Sequence, residues 1–253
     1  MNVQQTSGMV RLGARMALIG MVVALASGLA MALSGFGYRL DLWHFRTGFA
    51  IIRWSFWIGA GAGVVALLGL ILSRGKPPKI LVCALVGIAV AGVVTYIPWS
   101  WMQTLKSVPY IHDITTDTQN PPAFVAVAAL RKEGDHPVAY DGEEIAAQQR
   151  AAYPDLTTQI LMADKDKVFA ASEAVVRAMK LEVVEANAAE GRIEATHTSL
   201  FYGFKDDMVI RIIADGIGSR VDVRSKSRVG RSDLGQNAKR IRTFMQKLQA
   251  SLQ

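Results

Sequence analysis

The chain has 253 residues, 51% of them hydrophobic, a formal net charge of +7 and a single cysteine. One cysteine, Cys83, excludes a disulfide within the chain and any zinc site built on cysteine. The charge map excludes a basic nucleic-acid-binding module, because residues 1–100 carry eight Lys/Arg and one acid while residues 101–253 carry twenty of each sign.

Residues 16–38, 54–73 and 80–105 contain no Asp, Glu, Lys or Arg. A helix needs roughly 20 apolar residues to cross the hydrocarbon core. The pattern predicts three transmembrane helices at about 16–38, 54–73 and 80–101, with residues 1–106 as membrane region and 107–253 as a soluble domain. The first stretch is too long for the 7–15-residue core of a cleaved signal, although Ala30, Met31 and Ala32 loosely resemble a cleavage site. Small residues at four-residue spacing (Gly20, Ala24, Gly28; Gly59, Gly63; Gly87, Ala91) let helix backbones approach closely, and packing within the chain is the expectation. The spans carry no acidic residue, so an ion or proton pathway through them is not expected.

Loop charges set the expected orientation. Arg11 and Arg15 of the tail join Arg74, Lys76 and Lys79 of the second loop, against Arg39, Arg46 and Arg53 in a first loop read as 35–53. The positive side faces the cytoplasm. Three crossings then put the C-terminal domain outside, which predicts a multi-pass inner-membrane protein with a periplasmic domain. The bilayer is the expected partner, with anionic lipid or another envelope protein as candidates, and no nucleic acid.

Prolines at 109, 121 and 122 keep the next segment extended. A helix is expected after Asp141, with that residue as cap and Glu144 reaching back. A strand at 156–162 and a helix at 164–180 follow. Four strands come next, at 181–185, 192–198, 207–214 and 220–227, with turns at 187–191 and 215–218. In the last pair Met208, Ile210, Ile212, Val221 and Val223 share one face, and Asp207, Arg211, Asp222, Arg224 and Lys226 the other. A closing helix spans about 233–252, with Ile241, Phe244, Met245 and Leu248 on its apolar stripe. The fold class is α+β: an antiparallel sheet with two helices covering one face.

The run 222–242 carries the candidate site. Residues 220–253 have net charge +7 and residues 101–219 have −7. Arg224, Arg228 and Arg231 flank an expected helix start at Ser232 or Asp233, with Asn237 one turn on. Free N–H groups beside arginine forks form a reasonable anion site. The competing reading is a polar edge-strand face, a capped helix and ion pairs between the two charged halves. His197, Asp207 and Arg211 form a second polar cluster. Adjacent carboxylates Asp206 and Asp207 point to opposite faces of a regular strand, which argues against a catalytic pair. No metal spacing links the histidines, and no catalytic or cofactor motif is present.

Three stretches resemble the domain-of-unknown-function family 1499. They are the Asn-Pro-Pro-Ala-Phe run at 120–124 with Tyr-Pro-Asp at 153–155, the segments 192–195 and 203–211, and the run 222–242. The resemblance covers about 113–248 and implies a domain boundary but no mechanism. The resulting expectation is an envelope-facing binding or interaction module, with an anionic group as candidate ligand and no cofactor. The alternatives are a hydrolase using Asp207, His197 or a serine, or a structural subunit of an envelope complex.

Overall fold

The computed structural model describes residues 3–74 and 77–253, leaving aside the side chains of residues 3–7. Two compact units emerge. The first comprises Met1–Gln103 with Phe201–Gly203, and the second Thr104–Leu200 with Phe204–Gln253.

The first unit holds helices α1 (Val3–Arg39), α2 (Phe45–Ser73) and α3 (Pro78–Ser107), all long and apolar enough to cross a membrane. Their burial is the reverse of a soluble bundle. Leu18, Ile58 and Val82 are about half exposed or more, whereas Ala17, Ala24, Ala66 and Ala84 are fully buried. Lipid tails are as apolar as leucine, so close backbone approach drives the packing rather than burial of large side chains. A Cβ on Gly20 would lie 2.6 Å from Ala66 N, on Gly63 2.8 Å from Ala91 Cβ, and on Gly87 3.0 Å from the Met21 backbone. The small-residue stripes are therefore used within the chain. The first loop is shorter than expected. The side chain of His44 accepts from Arg46 N and starts α2 at Phe45, which brings Arg46 and Arg53 into helix. Gly75 and Lys76 of the second loop lie outside the described residues.

The second unit is an α+β domain built on one antiparallel sheet. Its strands are β1 (Asp113–Thr115), β2 (Gln159–Leu161), β3 (Glu182–Asn187), β4 (Arg192–Thr198), β5 (Lys205–Asp215) and β6 (Gly218–Ser227). The order is β1-β6-β5-β4-β3, and β2 also pairs with β6, beyond β1. The helices are α4 (Glu143–Ala152), α5 (Lys165–Ala178) and α6 (Gln236–Leu252).

Alternation sorts the strands as period two demands. Ile193, Ala195, Met208, Ile210, Ile212, Val221 and Val223 face α5 and α6, where they meet Val168, Phe169, Val176, Ile241, Phe244 and Leu248. Burying each such side chain contributes about 1.5–3 kcal/mol, so this layer holds the domain together.

Several local expectations are corrected. Strand β6 is interior, not an edge, because β1 and β2 pair along its far side. Asp141 does not cap α4: Gly142 occupies the cap position without a side-chain bond, and Asp141 turns to Lys226 instead. Helix α6 begins at Gln236, after Leu234 and Gly235 take left-handed backbone conformations. The sheet is covered on both faces. Residues 116–142, including a short 3-10 turn at Ala126–Leu130, form a strap across the face away from α5 and α6.

Candidate functional site

The strap closes over charge. On the face opposite the apolar core, β4 presents Arg192, Glu194 and Thr196, β5 presents Asp207, Val209 and Arg211, and β6 presents Asp222, Arg224 and Lys226. The same alternation that builds the core thus lines up alternating charges. Residues 221–228 are buried without exception. A charge removed from water needs a partner with good geometry, and these charges have one.

Asp207 is fully buried and accepts from Arg228 Nη2 at 2.8 Å, Arg131 Nε at 3.1 Å and Thr196 Oγ1 at 2.8 Å. Arg228 Nη1 continues outward to Leu130 O at 2.8 Å. Burial lowers the affinity of Arg131 for its proton, and the neighbouring Asp207 offsets that only in part.

Arg224 forms a bidentate pair with Asp113, at 2.8 and 2.7 Å, and also donates to Pro122 O and Val138 O. Its guanidinium lies over Phe124, 4.8 Å from the ring centroid, with Tyr140 at 5.3 Å. This fork geometry is one that lysine could not reproduce. Burial and the nearby Asp113 carboxylate push the Tyr140 hydroxyl up to about 12.

Lys226 has no exposed side-chain surface. Its Nζ donates to Asp141 Oδ1 at 2.6 Å and Ala139 O at 2.7 Å, and lies 3.2 Å from Asp113. Arg211 bridges Asp222 at 2.8 Å and Asp117 at 3.0 Å. Glu194 accepts three backbone N–H groups, from Val125, Ala126 and Val127, at 2.9–3.1 Å. Seven of these contacts join a sheet or β6-end side chain to strap backbone, at Pro122, Val125, Ala126, Val127, Leu130, Val138 and Ala139. The charged layer therefore fastens the strap through charge-assisted hydrogen bonds, the stronger kind.

The sequence-derived site residues separate in the structure. Arg224 and Arg228 turn inward to buried carboxylates instead of presenting themselves to a ligand. Arg231 is exposed. The N–H groups expected to be free at the start of α6 are occupied: Asp233 accepts from Gly235 N and Asn237 N at 2.8 and 2.6 Å, and Ser232 Oγ accepts from Leu234 N at 3.3 Å. Burial raises the Asp233 pKa against these hydrogen bonds. Asn237 is buried and bonds Ser225, Ser227 and His112 O.

His197, Asp207 and Arg211 do not form one cluster. Asp207 belongs to Arg228 and Arg131, and Arg211 to Asp222 and Asp117. His197 lies on the other face, 3.7 Å from Asp206, which Arg240 holds at 2.7 Å. Burial pushes the Asp206 pKa up, but the facing His197 and Ser227 side chains and the Arg240 charge outweigh it, leaving a net lowering. Among the described residues no group of three His, Cys, Asp or Glu could hold a metal ion.

Sequence reasoning missed Asp113, Glu194, Arg131 and Asp141 as partners, together with the strap itself. Pairing between the halves was the competing reading of the opposite net charge of residues 101–219 and 220–253; the individual partners were not identified. A family model described as "Protein of unknown function (DUF1499)" matches residues 113–248. No curated protein matches the chain.

Proposed function

The chain belongs to the DUF1499 family through its C-terminal domain, and from that premise we propose that it is a membrane-anchored binding or interaction module of the cell envelope. The observation that carries this reading is the fastening of the strap. Glu194 holds Val125, Ala126 and Val127 from below, while Val125, Ala128, Ala129 and Leu130 are exposed above. An apolar ridge already held in place loses little conformational entropy on binding, which favours a partner protein that docks on it.

The anchor is the three-helix unit, and the membrane is the inner membrane. Five Lys/Arg on the tail and second loop, against three in the 35–53 region, favour a cytoplasmic N-terminus and a periplasmic domain. A reporter active only in the cytoplasm, fused after Gln253, is then silent.

Anionic recognition narrows to Arg231, since Arg224 and Arg228 are spent on Asp113 and Asp207. A lipid headgroup is the natural anion for a tethered domain.

The test of the module reading replaces ridge residues with charge. Val125→Asp with Leu130→Asp should abolish co-purification of a stoichiometric envelope partner in mild detergent and leave the melting temperature of the full chain nearly unchanged. A partner retained by that variant overturns the ridge as the binding face.

A further inference from the structure

Two histidines meet where the strap returns to the sheet. His112 immediately precedes β1 and His136 lies on the strap. Their rings stack with centroids 4.0 Å apart and planes 25° apart. His136 Nε2 lies 2.9 Å from Gly230 O. A carbonyl only accepts, so this nitrogen carries a proton and the other ring nitrogen is bare in the neutral form. The His136 backbone is pinned as well, since its N–H donates to Arg228 O at 2.7 Å and its carbonyl accepts from Arg131.

His112 Nε2 is buried, faces Asp141 Oδ2 at 3.4 Å, and makes no hydrogen bond among the described residues. Its carbonyl accepts from Ser227 N and Asn237 Nδ2. The charged groups around it come from three elements: Asp141 on the strap, Asp113 on β1 and Lys226 on β6. The Arg131 guanidinium reaches the His136 carbonyl. The same return limb supplies Val138 O to Arg224 and Ala139 O to Lys226.

We propose that the stacked His112–His136 pair is a proton-operated latch: with both rings neutral the strap stays closed over the charged layer, and acidification releases its return limb. Protonating both rings would place two cations 4.0 Å apart beside buried Lys226. The carboxylates facing them are already committed, Asp113 to Arg224 and Lys226, and Asp141 to Lys226.

The direction of the effect follows from linkage. Burial and the neighbouring His136 hold His112 below its ordinary value of 6.5 in the closed form. An open strap exposes the imidazole to water and restores that value. Between the two values the open form binds more protons, so falling pH favours opening. The proton taken up by His112 on opening changes the closed-to-open ratio by up to about tenfold per pH unit.

The test is hydrogen–deuterium exchange on the full chain in mild detergent at about pH 7.5 and about pH 5.5, where histidine titrates, corrected for intrinsic exchange. Protection of the His136 amide, which donates to Arg228 O, should fall by up to about tenfold on acidification, while Ile210 in the core stays protected. In His112→Phe, which keeps a flat ring but takes no proton, that pH dependence should shrink to about threefold or less. His136→Phe carries the same test should the first variant fail to fold. In the wild-type chain, imidazole proton uptake followed by NMR should coincide with strap exchange. Strap protection that does not respond to pH overturns the latch, as does pH dependence that survives in a folded variant, or proton uptake without opening.

Discussion

The two faces of the sheet are both sealed, but by different physics. On one face α5 and α6 bury Ile210, Ile212, Val221 and Val223 against Phe244 and Leu248, and any apolar group of the right size would serve. On the other, the strap is held by Asp113, Glu194, Asp207 and Asp222 meeting Arg131, Arg192, Arg211, Arg224, Lys226 and Arg228 in fixed partnerships. The apolar face supplies most of the net stability. Buried ion pairs roughly break even against apolar residues of similar volume but penalise any wrong pairing. The comparison teaches that the charged face specifies where the strap lies, while the apolar face keeps the domain folded.

The largest expected effect breaks the charged face at its centre. Asp207→Ala leaves Arg131 and Arg228 buried without their carboxylate and should cost about 3–5 kcal/mol in chemical denaturation of the full chain in detergent. Replacing all three (Asp207→Leu, Arg131→Met, Arg228→Met) should recover at least half of that loss. Failure to recover would mean the charged layer stabilises the domain outright, and the contrast between the faces would collapse.

Phe244→Ala on the apolar face should cost a similar amount, about 3–5 kcal/mol, since Phe244 is fully buried. The two variants should differ in hydrogen exchange. Phe244→Ala lowers protection throughout the domain, whereas loss of Asp207 exposes the strap first.

Glu194→Gln sharpens the comparison further. It removes the charge that gathers three strap N–H groups and should cost about 1.5–3 kcal/mol, with exchange rising at Val125, Ala126 and Val127 before the core strands respond.

The acid limb of the stability curve offers a smaller effect. Asp206 has a folded-state pKa below its ordinary 3.8, so its contribution is present above 3.8 and lost as pH falls through the folded value. Asp233 is shifted upward, so its contribution is present below 3.8 and lost as pH rises through its folded value. Asp206→Asn should flatten the loss of stability on acidification, and Asp233→Asn should not; thermal melts across acid pH distinguish them.

Smallest of all is the surface pair of Arg242 and Asp155, which is substantially exposed. Arg242→Gln should change stability by about 0–1 kcal/mol. A loss as large as that of Asp207→Ala would show that exposure is a poor guide to how these pairs work.

Much of the architecture was legible in the residues. Uncharged runs of sufficient length marked all three apolar helices, and the alternation at 207–214 and 220–227 marked the central hairpin and its core face. The small residues Gly20, Gly63 and Gly87 announced close helix packing. The site was less legible. Arg224, Arg228 and Asn237 looked available because a strand with one polar face usually turns that face to water. Their partners Asp113 and Asp207 are distant in sequence, and nothing local pairs Arg224 with a carboxylate 111 residues away. The start of α6 shifted to Gln236 because Asp233 supplies a tighter turn at Leu234 and Gly235 than a direct cap would.

The sequence by itself determined the local periods: three apolar helices, an alternating antiparallel sheet, and a C-terminal domain whose halves carry opposite charge. Periodicity is a near-neighbour property, set by the backbone repeat of helix or strand, and so it is visible in any short window. Only the tertiary structure decided that β6 is interior, that the strap covers the charged face, and that each buried cation there has its carboxylate. Those outcomes depend on contacts between segments far apart in the chain, where the cost of burying a charge is met only once its partner has arrived.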